Sequence, residues 1–190
     1  MGDQSPTNTP KNVTVIGGGP AGLEAARVAA KRGHRVTLFE ASSDIGGQLA
    51  IWSQAPMTRE FQKTLNWYKT QLTQLQVHVR TGQRLTPKDV AVLDTDVLIL
   101  ATGATPINPL LIATGADAIP VIDPWQAIAD GPTGQHILIN DEGGGRAALS
   151  AADALLDQNR ITLVTAEYAI AHFVTPPFPA PICEPFLTSN

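Results

Sequence analysis

Apolar runs and helical spacings alternate along the first hundred residues. Short apolar runs predict four strands, at 12–16, 35–39, 77–79 and 96–101. The last run is continuously apolar, as at the centre of a parallel sheet. An alanine-rich segment predicts a helix over 20–32, which Gly33 would end. A second helix is predicted over 58–75 from the recurrence of apolar residues at helical spacing, and 41–57 is expected to be a loop.

The same alternation returns in the second half of the chain. The pattern predicts a short helix over 124–130, a strand over 136–140, a helix over 146–157 and a strand over 161–165. Repeated strand–helix–strand order implies right-handed βαβ units and a parallel sheet. The fold class is therefore α/β: a Rossmann-like domain with a parallel sheet, followed by a second, incomplete Rossmann-like βαβ domain.

Composition and charge narrow the range of partners. The chain has 190 residues, 43% of them hydrophobic, and a formal charge of -4 without a basic stretch, which argues against nucleic acid or an anionic membrane as partner. The one cysteine, Cys183, excludes an internal disulfide and a thiolate zinc site, and the four histidines have no metal-ligand spacing. The N-terminus lacks a signal-peptide pattern and no apolar run approaches a membrane span, so the cytoplasm is the expected location.

A glycine-rich turn after the first strand carries the chemistry. It has the form G-x-G-x-x-G and lies between a predicted strand and a predicted helix, and its residues are Gly17, Gly18, Gly19, Pro20, Ala21 and Gly22. In this motif the first glycine permits the tight turn, the second admits a pyrophosphate close to the backbone, and the third lets helix and strand pack closely. The helix N-terminus adds N–H groups and a positive dipole end. The competing interpretation is a glycine turn in an ordinary α/β fold.

Glu40 ends the second predicted strand, eighteen residues after Gly22. A carboxylate at this position can accept hydrogen bonds from both ribose hydroxyls of an adenosine. It also opposes a 2′-phosphate, which argues against NADP at this turn. The residues thus predict a site for the ADP half of a dinucleotide, and by themselves they leave FAD and NAD open.

Two further patterns resemble those of the two-dinucleotide-domain flavoproteins. They are Glu40-Ala41 followed by Gly46-Gly47-Gln48-Leu49, and the apolar strand that ends in Ala101-Thr102-Gly103. The stretch is similar to the C-terminal region of the old-yellow-enzyme-like flavoenzymes, which include 2,4-dienoyl-CoA reductase and trimethylamine dehydrogenase. The resemblance implies FAD as cofactor. It places the first pattern along the FAD pyrophosphate and ribityl and the second beside the flavin.

The composition and the strand–helix pattern along the chain set the expected domain boundaries. They are a disordered leader at 1–10, an FAD-binding domain at 11–106, a linker with a short helix at 107–134, a partial second nucleotide-binding fold at 135–170 and a Pro-rich tail at 171–190. The similar enzymes carry a TIM barrel with FMN and an iron–sulfur cluster, and this sequence has no such barrel. They also return to the FAD domain through a Gly-Asp pair that we do not find here, so a truncated or altered end is expected.

The second glycine turn differs from the first in its charge. Asp141 and Glu142 stand immediately before Gly143, where a pyrophosphate would lie, so NAD(P)H binding there is expected to be poor. The resulting hypothesis is an FAD-dependent oxidoreductase module that passes electrons between NAD(P)H and another acceptor, with no assignable catalytic residue. The alternative is a non-catalytic nucleotide-binding or electron-transfer subunit, or a truncated fragment, that needs a barrel-type flavoprotein partner chain.

Overall fold

The computed structural model describes residues 5–106, 119–167 and 170. The chain divides into two compact units, the first made of Met1–Gln54 and Thr58–Ile119 and the second of Ala55–Met57 and Pro120–Asn190. The elements of the first unit are β1 (Asn12–Ile16), α1 (Pro20–Lys31), β2 (Arg35–Phe39), α2 (Gln48–Trp52), α3 (Phe61–Gln74), β3 (His78–Arg80), α4 (Pro87–Ala91) and β4 (Val97–Leu100). Those of the second are α5 (Pro124–Asp130), β5 (His136–Asp141), α6 (Arg146–Leu155) and β6 (Arg160–Thr165).

The first unit contains a four-stranded parallel sheet in the order β3-β2-β1-β4. Val13 of β1 pairs with Val36 of β2 on one side and with Val97 of β4 on the other. Along the chain, β2 and β3 are added on one side of β1, and β4 is then added on its other side. The direction of strand addition therefore reverses between β1 and β4. In open α/β sheets, ligands bind outside the carboxyl ends of the strands at such a reversal.

Alternation along the strands places the core on one face of this sheet. Val13 and Val15 of β1 join Val36 and Leu38 of β2 in a buried cluster with Leu23 of α1. Leu65 and Leu72 of α3 belong to the same cluster. The helices α1 and α3 thus cover the face that the odd positions of β1 present, because side chains alternate between the faces of a strand.

Three local differences separate this unit from the sequence-based expectation. The expected loop at 41–57 contains α2, a helix of five residues that follows the Gly46-Gly47 pair. The helix expected over 58–75 begins at Phe61, because Pro56–Thr58 forms a separate 3-10 turn. The helix α4 was missed, although Thr86 and Asp89 form a reciprocal capping box at its N-terminus.

The N-terminal leader is partly described. Residues 1–4 lie outside the described residues, whereas the N–H of Thr7 donates to the carbonyl of Arg32 at a distance of 2.8 Å. The expected Pro-rich tail at 171–190, with Cys183, also lies outside the described residues.

The second unit is a βαβ arrangement. The strands β5 and β6 pair in parallel from His136 with Arg160 to Asp141 with Thr165. Ala127 of α5 packs with Ala151 and Leu155 of α6, and isoleucines of both strands lie against this cluster. The described part of this unit has one two-stranded sheet. The α/β class is confirmed, with a parallel Rossmann-like sheet in the first unit.

Candidate cofactor site

The turn after β1 is tight enough to require glycine at two positions. Gly17 has φ of 109°, in the left-handed region, and a Cβ placed on it would lie 2.1 Å from the carbonyl oxygen of Ala101. A Cβ on Gly22 would lie 1.8 Å from the carbonyl oxygen of Gly17. The turn, the first part of α1 and the end of β4 are therefore in direct backbone contact, which is the role expected for the first and third glycines of the motif.

Gly19 is different, because a Cβ added to it would meet nothing within 4 Å. Its backbone is extended, with φ of -74° and ψ of 178°, so its conformation alone would accept any residue. It is the residue before α1, whose N-terminus has Pro20 in its first turn and no side-chain cap. The space beside Gly19, in front of a helix N-terminus, suits an anionic group.

A second glycine pair borders this space. The N–H of Gly46 donates to the carbonyl of Gly18 at 2.7 Å, and a Cβ on Gly47 would lie 3.1 Å from the Cα of Gly19. The sequence-predicted residues Gln48 and Leu49 begin α2 directly afterwards. The loop after β2 therefore approaches the glycine turn closely.

Glu40 follows β2 and turns its carboxylate toward the same turn. Its Oε2 accepts a hydrogen bond from the N–H of Gly18 at 2.6 Å, and its Oε1 accepts one from the N–H of Ser42 at 2.7 Å. Burial raises the pKa of Glu40, but these donors, with the Ser42 hydroxyl and the N–H of Ala41, outweigh it and lower the pKa below its ordinary value. The side chain is thus held as a carboxylate at neutral pH.

The structure brings most of the sequence-predicted site residues together. Glu40 and Gly47 both approach the turn 17–22: Glu40 accepts from the N–H of Gly18, and a Cβ on Gly47 would lie 3.1 Å from the Cα of Gly19. Ala101 approaches from β4, where its N–H donates to the carbonyl of Ile16 at 2.8 Å, and Thr102 and Gly103 follow it without regular structure. It stays a prediction that five further residues contact the open space directly: Ala41, Gln48, Leu49, Thr102 and Gly103.

Sequence reasoning missed Ser42, and it had Gly46 only as part of the pattern Gly46-Gly47-Gln48-Leu49. Ser42 donates to Glu40, and Gly46 donates to Gly18, although neither belongs to the G-x-G-x-x-G pattern. The bond from Ser42 to Glu40 comes from its backbone N–H, which any residue except proline would supply, so the residue type at position 42 carries no signal for it.

Three features of the turn and of Glu40 fit the ADP half of a dinucleotide. An open position at Gly19 leaves room for the pyrophosphate, the uncapped helix α1 supplies the dipole, and the Glu40 carboxylate can accept hydrogen bonds from a ribose. Each carboxylate oxygen has two lone pairs, so the bonds from Gly18 and Ser42 leave acceptor capacity for hydroxyl groups.

The turn of the second unit has a different arrangement. Asp141 ends β5 with 6% of its surface exposed, and its Oδ1 accepts a hydrogen bond from the N–H of Gly143 at 3.3 Å. Glu142 Oε1 accepts one from the side chain of Asn140 at 3.1 Å. Two carboxylates therefore stand at this turn, and one of them engages a backbone N–H of the turn.

Neither a membrane-spanning helix nor a metal cluster occurs among the residues that the structure describes. None of their helices combines the length and the apolar character that a membrane span needs. Within the same residues, no group of three or more His, Cys, Asp or Glu side chains is placed to hold a metal ion.

Comparison with known proteins identifies the family. The family described as pyridine nucleotide-disulphide oxidoreductase matches residues 11–182. N,N-dimethylglycine/sarcosine dehydrogenase of Chromohalobacter salexigens is 39% identical over 160 residues, which are 81% of this chain and 23% of that protein. A probable N-methylproline demethylase of Rhizobium meliloti is 37% identical over 163 residues, which are 85% of this chain and 24% of that protein.

A solved structure of 2-naphthoyl-CoA reductase is similar with a TM-score of 0.81 at 27% identity, covering 91% of this chain and 26% of that one. The chain thus spans about a quarter of the length of these relatives. The resemblance to the FAD- and NAD-binding region of the old-yellow-enzyme-like enzymes is confirmed. The chain belongs to the pyridine nucleotide-disulphide oxidoreductase family, as an FAD-dependent oxidoreductase module.

Proposed function

We propose that the first unit holds FAD with its ADP half on the turn 17–22 and that the bound flavin passes electrons between NAD(P)H and another acceptor. The observation that carries the proposal is the open position at Gly19, in front of an uncapped helix N-terminus, on a turn that Gly47 approaches and whose Gly18 N–H donates to the Glu40 carboxylate. The binding residues are those that the motif and the resemblance predict. The FAD-binding part is 11–106, and the partial second fold at 135–170 follows a linker at 107–134.

The chemistry of electron transfer comes from the flavin when it is bound. The residues of this chain bind and orient the cofactor. The Gly17–Gly22 turn holds the phosphates by its backbone N–H groups. Glycine is needed at position 19 because a side chain there would occupy the place of the phosphates. Glu40 holds the adenosine ribose and favours a free 2′-hydroxyl, because its carboxylate would repel a 2′-phosphate.

The electron partner is proposed to be a barrel-type flavoprotein domain, on the same polypeptide or on another chain. The proposal is supported by the similarity of this chain to only about a quarter of each relative, two of which are named for reactions at N-methylated amines. The substrate chemistry would then lie with the barrel, and this module would exchange electrons with it. The cytoplasmic location also stays a prediction.

Reconstitution of the purified chain with FAD tests the proposal. We expect a yellow protein with one FAD per chain after gel filtration, a shifted flavin spectrum, and release of the flavin by competition with ADP. A matched Gly19→Val variant should stay colourless while keeping the circular dichroism of the wild type. A wild-type protein that takes up no flavin would overturn the proposal, and one that binds ADP but not FAD would support the truncated-fragment alternative.

A further inference from the structure

A cavity of about 490 Å³ lies between the C-terminal half of α1 and the strands β1 and β4. It is away from the glycine turn: Val13 in its wall and Gly17 in the turn are four residues apart, which is about 13 Å along an extended strand. Sites for small ligands typically measure about 300–1,000 Å³. The cavity is therefore separate from the proposed cofactor site and large enough for a small molecule.

Aliphatic side chains form two walls of the cavity. Val13 of β1 pairs with Val97 of β4, and Ile99 lies two residues further along on the same face of the sheet. The other wall is a stripe of α1 residues at helical spacing, which are Ala25, Val28 and Ala29. Among the strands that the structure describes, β4 is at the edge of the sheet, so none of them closes the cavity on that side. The cavity thus offers apolar contact to the body of a ligand.

The polar side chains of the cavity present hydrogen-bond donors and positive charge. Besides two threonines they belong to Lys11, Arg32 and His34, and none of the lining residues is an aspartate or a glutamate. The Nε of Arg32 is buried and has no hydrogen-bond partner among the described residues. The N–H of Lys11 donates to Nδ1 of His34 at 3.2 Å, so the proton of the neutral ring is on Nε2, which is then a donor. A buried donor without a partner costs free energy, which favours a ligand that accepts from Arg32.

Two negative features near the cavity are weaker than its cations. The C-terminus of α1 carries only about half a negative charge, and the carbonyl of Arg32 is occupied, because it accepts from the N–H of Thr7 at 2.8 Å. The Asp96 carboxylate accepts from the N–H of Asn12 at 2.8 Å and is not part of the lining. Lys11 and Arg32 each contribute a full positive charge, so the lining is complementary to an anion.

We propose that this cavity binds a small carboxylate with an apolar body. The carboxylate accepts from the Arg32 guanidinium, in the field of Lys11, and the apolar body covers the valines and Ile99 of the strand wall. A bare anion would leave the aliphatic walls in contact with water, and a neutral apolar molecule would leave the Nε of Arg32 without a partner. The inference is independent of the proposed function, because none of these residues belongs to the proposed cofactor site.

Isothermal titration of the full chain with octanoate tests the inference. We expect one site per chain with a dissociation constant below about 1 mM, which a ligand of this size can reach. Acetate, which lacks the apolar body, and octanol, which lacks the charge, should each bind at least about tenfold more weakly. A wild-type chain without saturable octanoate binding would overturn the inference, and so would acetate or octanol that binds as tightly as octanoate.

Loss of the Arg32 charge gives the matched comparison. Arg32→Gln should weaken octanoate by at least about tenfold, because a hydrogen bond between two charged groups is lost. Arg84→Gln removes an exposed arginine that does not line the cavity and should bind octanoate like the wild type. Lys11→Gln changes an exposed side chain without risk to the fold and should weaken octanoate by roughly two- to fivefold. Wild-type affinity in both the Arg32→Gln and the Lys11→Gln proteins would overturn the inference.

Competition with the nucleotide distinguishes this cavity from the cofactor site. Saturation of the chain with FAD or ADP should leave the affinity for octanoate unchanged, because the two sites share no residue. Displacement of octanoate by either nucleotide would overturn the inference, since octanoate would then occupy the cofactor site. A chain that binds octanoate as expected but neither FAD nor ADP would support this inference and contradict the proposed function.

Discussion

A Cβ on Gly22 would lie 1.8 Å from the carbonyl oxygen of Gly17, so the first turn of α1 rests directly on the backbone of the turn before it. Replacing Gly22 with alanine forces these elements apart and should destabilise the apoprotein by about 2–3 kcal/mol, as in overpacked cores. Urea unfolding followed by circular dichroism measures the loss. Gly19→Ala is the matched control, because its Cβ meets nothing within 4 Å. A Gly22→Ala variant with the wild-type urea midpoint would contradict the close contact.

Gly19→Val should abolish cofactor binding while leaving stability unchanged. The backbone of Gly19 is extended and its Cβ direction is open, so valine fits the apoprotein. In the complex, the branched side chain would occupy the place of the pyrophosphate. The flavin content of protein purified with excess FAD, measured by absorbance, checks this outcome. Retention of a full complement of FAD by this variant would mean that the site is elsewhere.

Glu40→Ala should weaken both FAD and ADP without unfolding the protein. Hydrogen bonds to a charged acceptor contribute about 1.5–3 kcal/mol each, and a partly exposed site gives values toward the lower end. Fluorescence quenching of FAD on binding measures the affinity. The same variant should narrow the preference for ADP over 2′-phospho-ADP, since the repelling carboxylate is gone. Unchanged affinity for FAD and for both competitors would count against the ribose role.

The sequence was a good guide where a single local pattern decides the structure. The strands at 12–16 and 35–39 and the helix at 124–130 have the expected bounds, because apolar runs and the Asp123-Pro124 cap act locally. The helix α2 was missed because five residues give no measurable periodicity. The capping box of α4, in contrast, was visible in Thr86 and Asp89 and shows that short helices can be recognised from their ends.

The contacts within the site were harder to predict than the motif itself. The fingerprint assigns roles to Gly17, Gly19 and Gly22 and leaves Gly18 undetermined, because its partner Glu40 is 22 residues away along the chain. Only the parallel pairing of β1 with β2 brings the two together. Long-range pairing of this kind depends on the whole sheet, which no window of local sequence contains.

Acid should weaken the packing of α1 through Glu24. Arg27 donates to both carboxylate oxygens of Glu24, at 2.7 and 2.8 Å, and this interaction lowers the pKa of Glu24 below its ordinary 4.5, against the opposing effect of burial. The Tyr68 hydroxyl donates to Oε2 at 3.3 Å. A lowered pKa in the folded state stabilises the fold above about pH 4.5, and this stabilisation is lost as the pH falls through the folded-state pKa.

The matched variant for this interaction is Glu24→Gln, which keeps the shape of the side chain. Because the Glu24 side chain is 44% exposed, we expect the variant to lose only about 0.2–1 kcal/mol at pH 7. The difference between the two proteins should shrink between about pH 5 and pH 3, and urea unfolding at several pH values measures it. A difference that grows as the pH falls would contradict the assigned sign.

The proposed transfer of electrons from NADH or NADPH to the flavin should be slow in this chain by itself, because the second unit is expected to bind the nicotinamide dinucleotide poorly. A pyrophosphate carries two negative charges, and the turn of the second unit presents the carboxylates of Asp141 and Glu142. The repulsion between one carboxylate and one phosphate charge about 6 Å apart costs about 1–3 kcal/mol, for an effective dielectric constant between that of a protein surface and that of water. The bond from the N–H of Gly143 to Asp141 also engages a donor that a phosphate would need. Anaerobic titration of the loaded protein, followed by bleaching of the flavin absorbance, measures the reaction.

The charge argument makes a second, sharper prediction with Asp141→Asn combined with Glu142→Gln. The amides keep the size of the side chains and remove the repulsion, so this variant should bind the nicotinamide dinucleotide at least roughly tenfold more tightly than the wild type. Isothermal titration with NADH, with the first site filled by FAD, isolates the second unit. The side-chain carbonyl introduced at position 141 would still accept from the N–H of Gly143, which keeps the turn in place.

Rapid bleaching of the wild-type flavin at micromolar NADH or NADPH would overturn the prediction of slow reduction and identify a self-sufficient reductase module. An affinity that does not change in the double variant would show that the geometry of the turn, and not its charge, excludes the pyrophosphate.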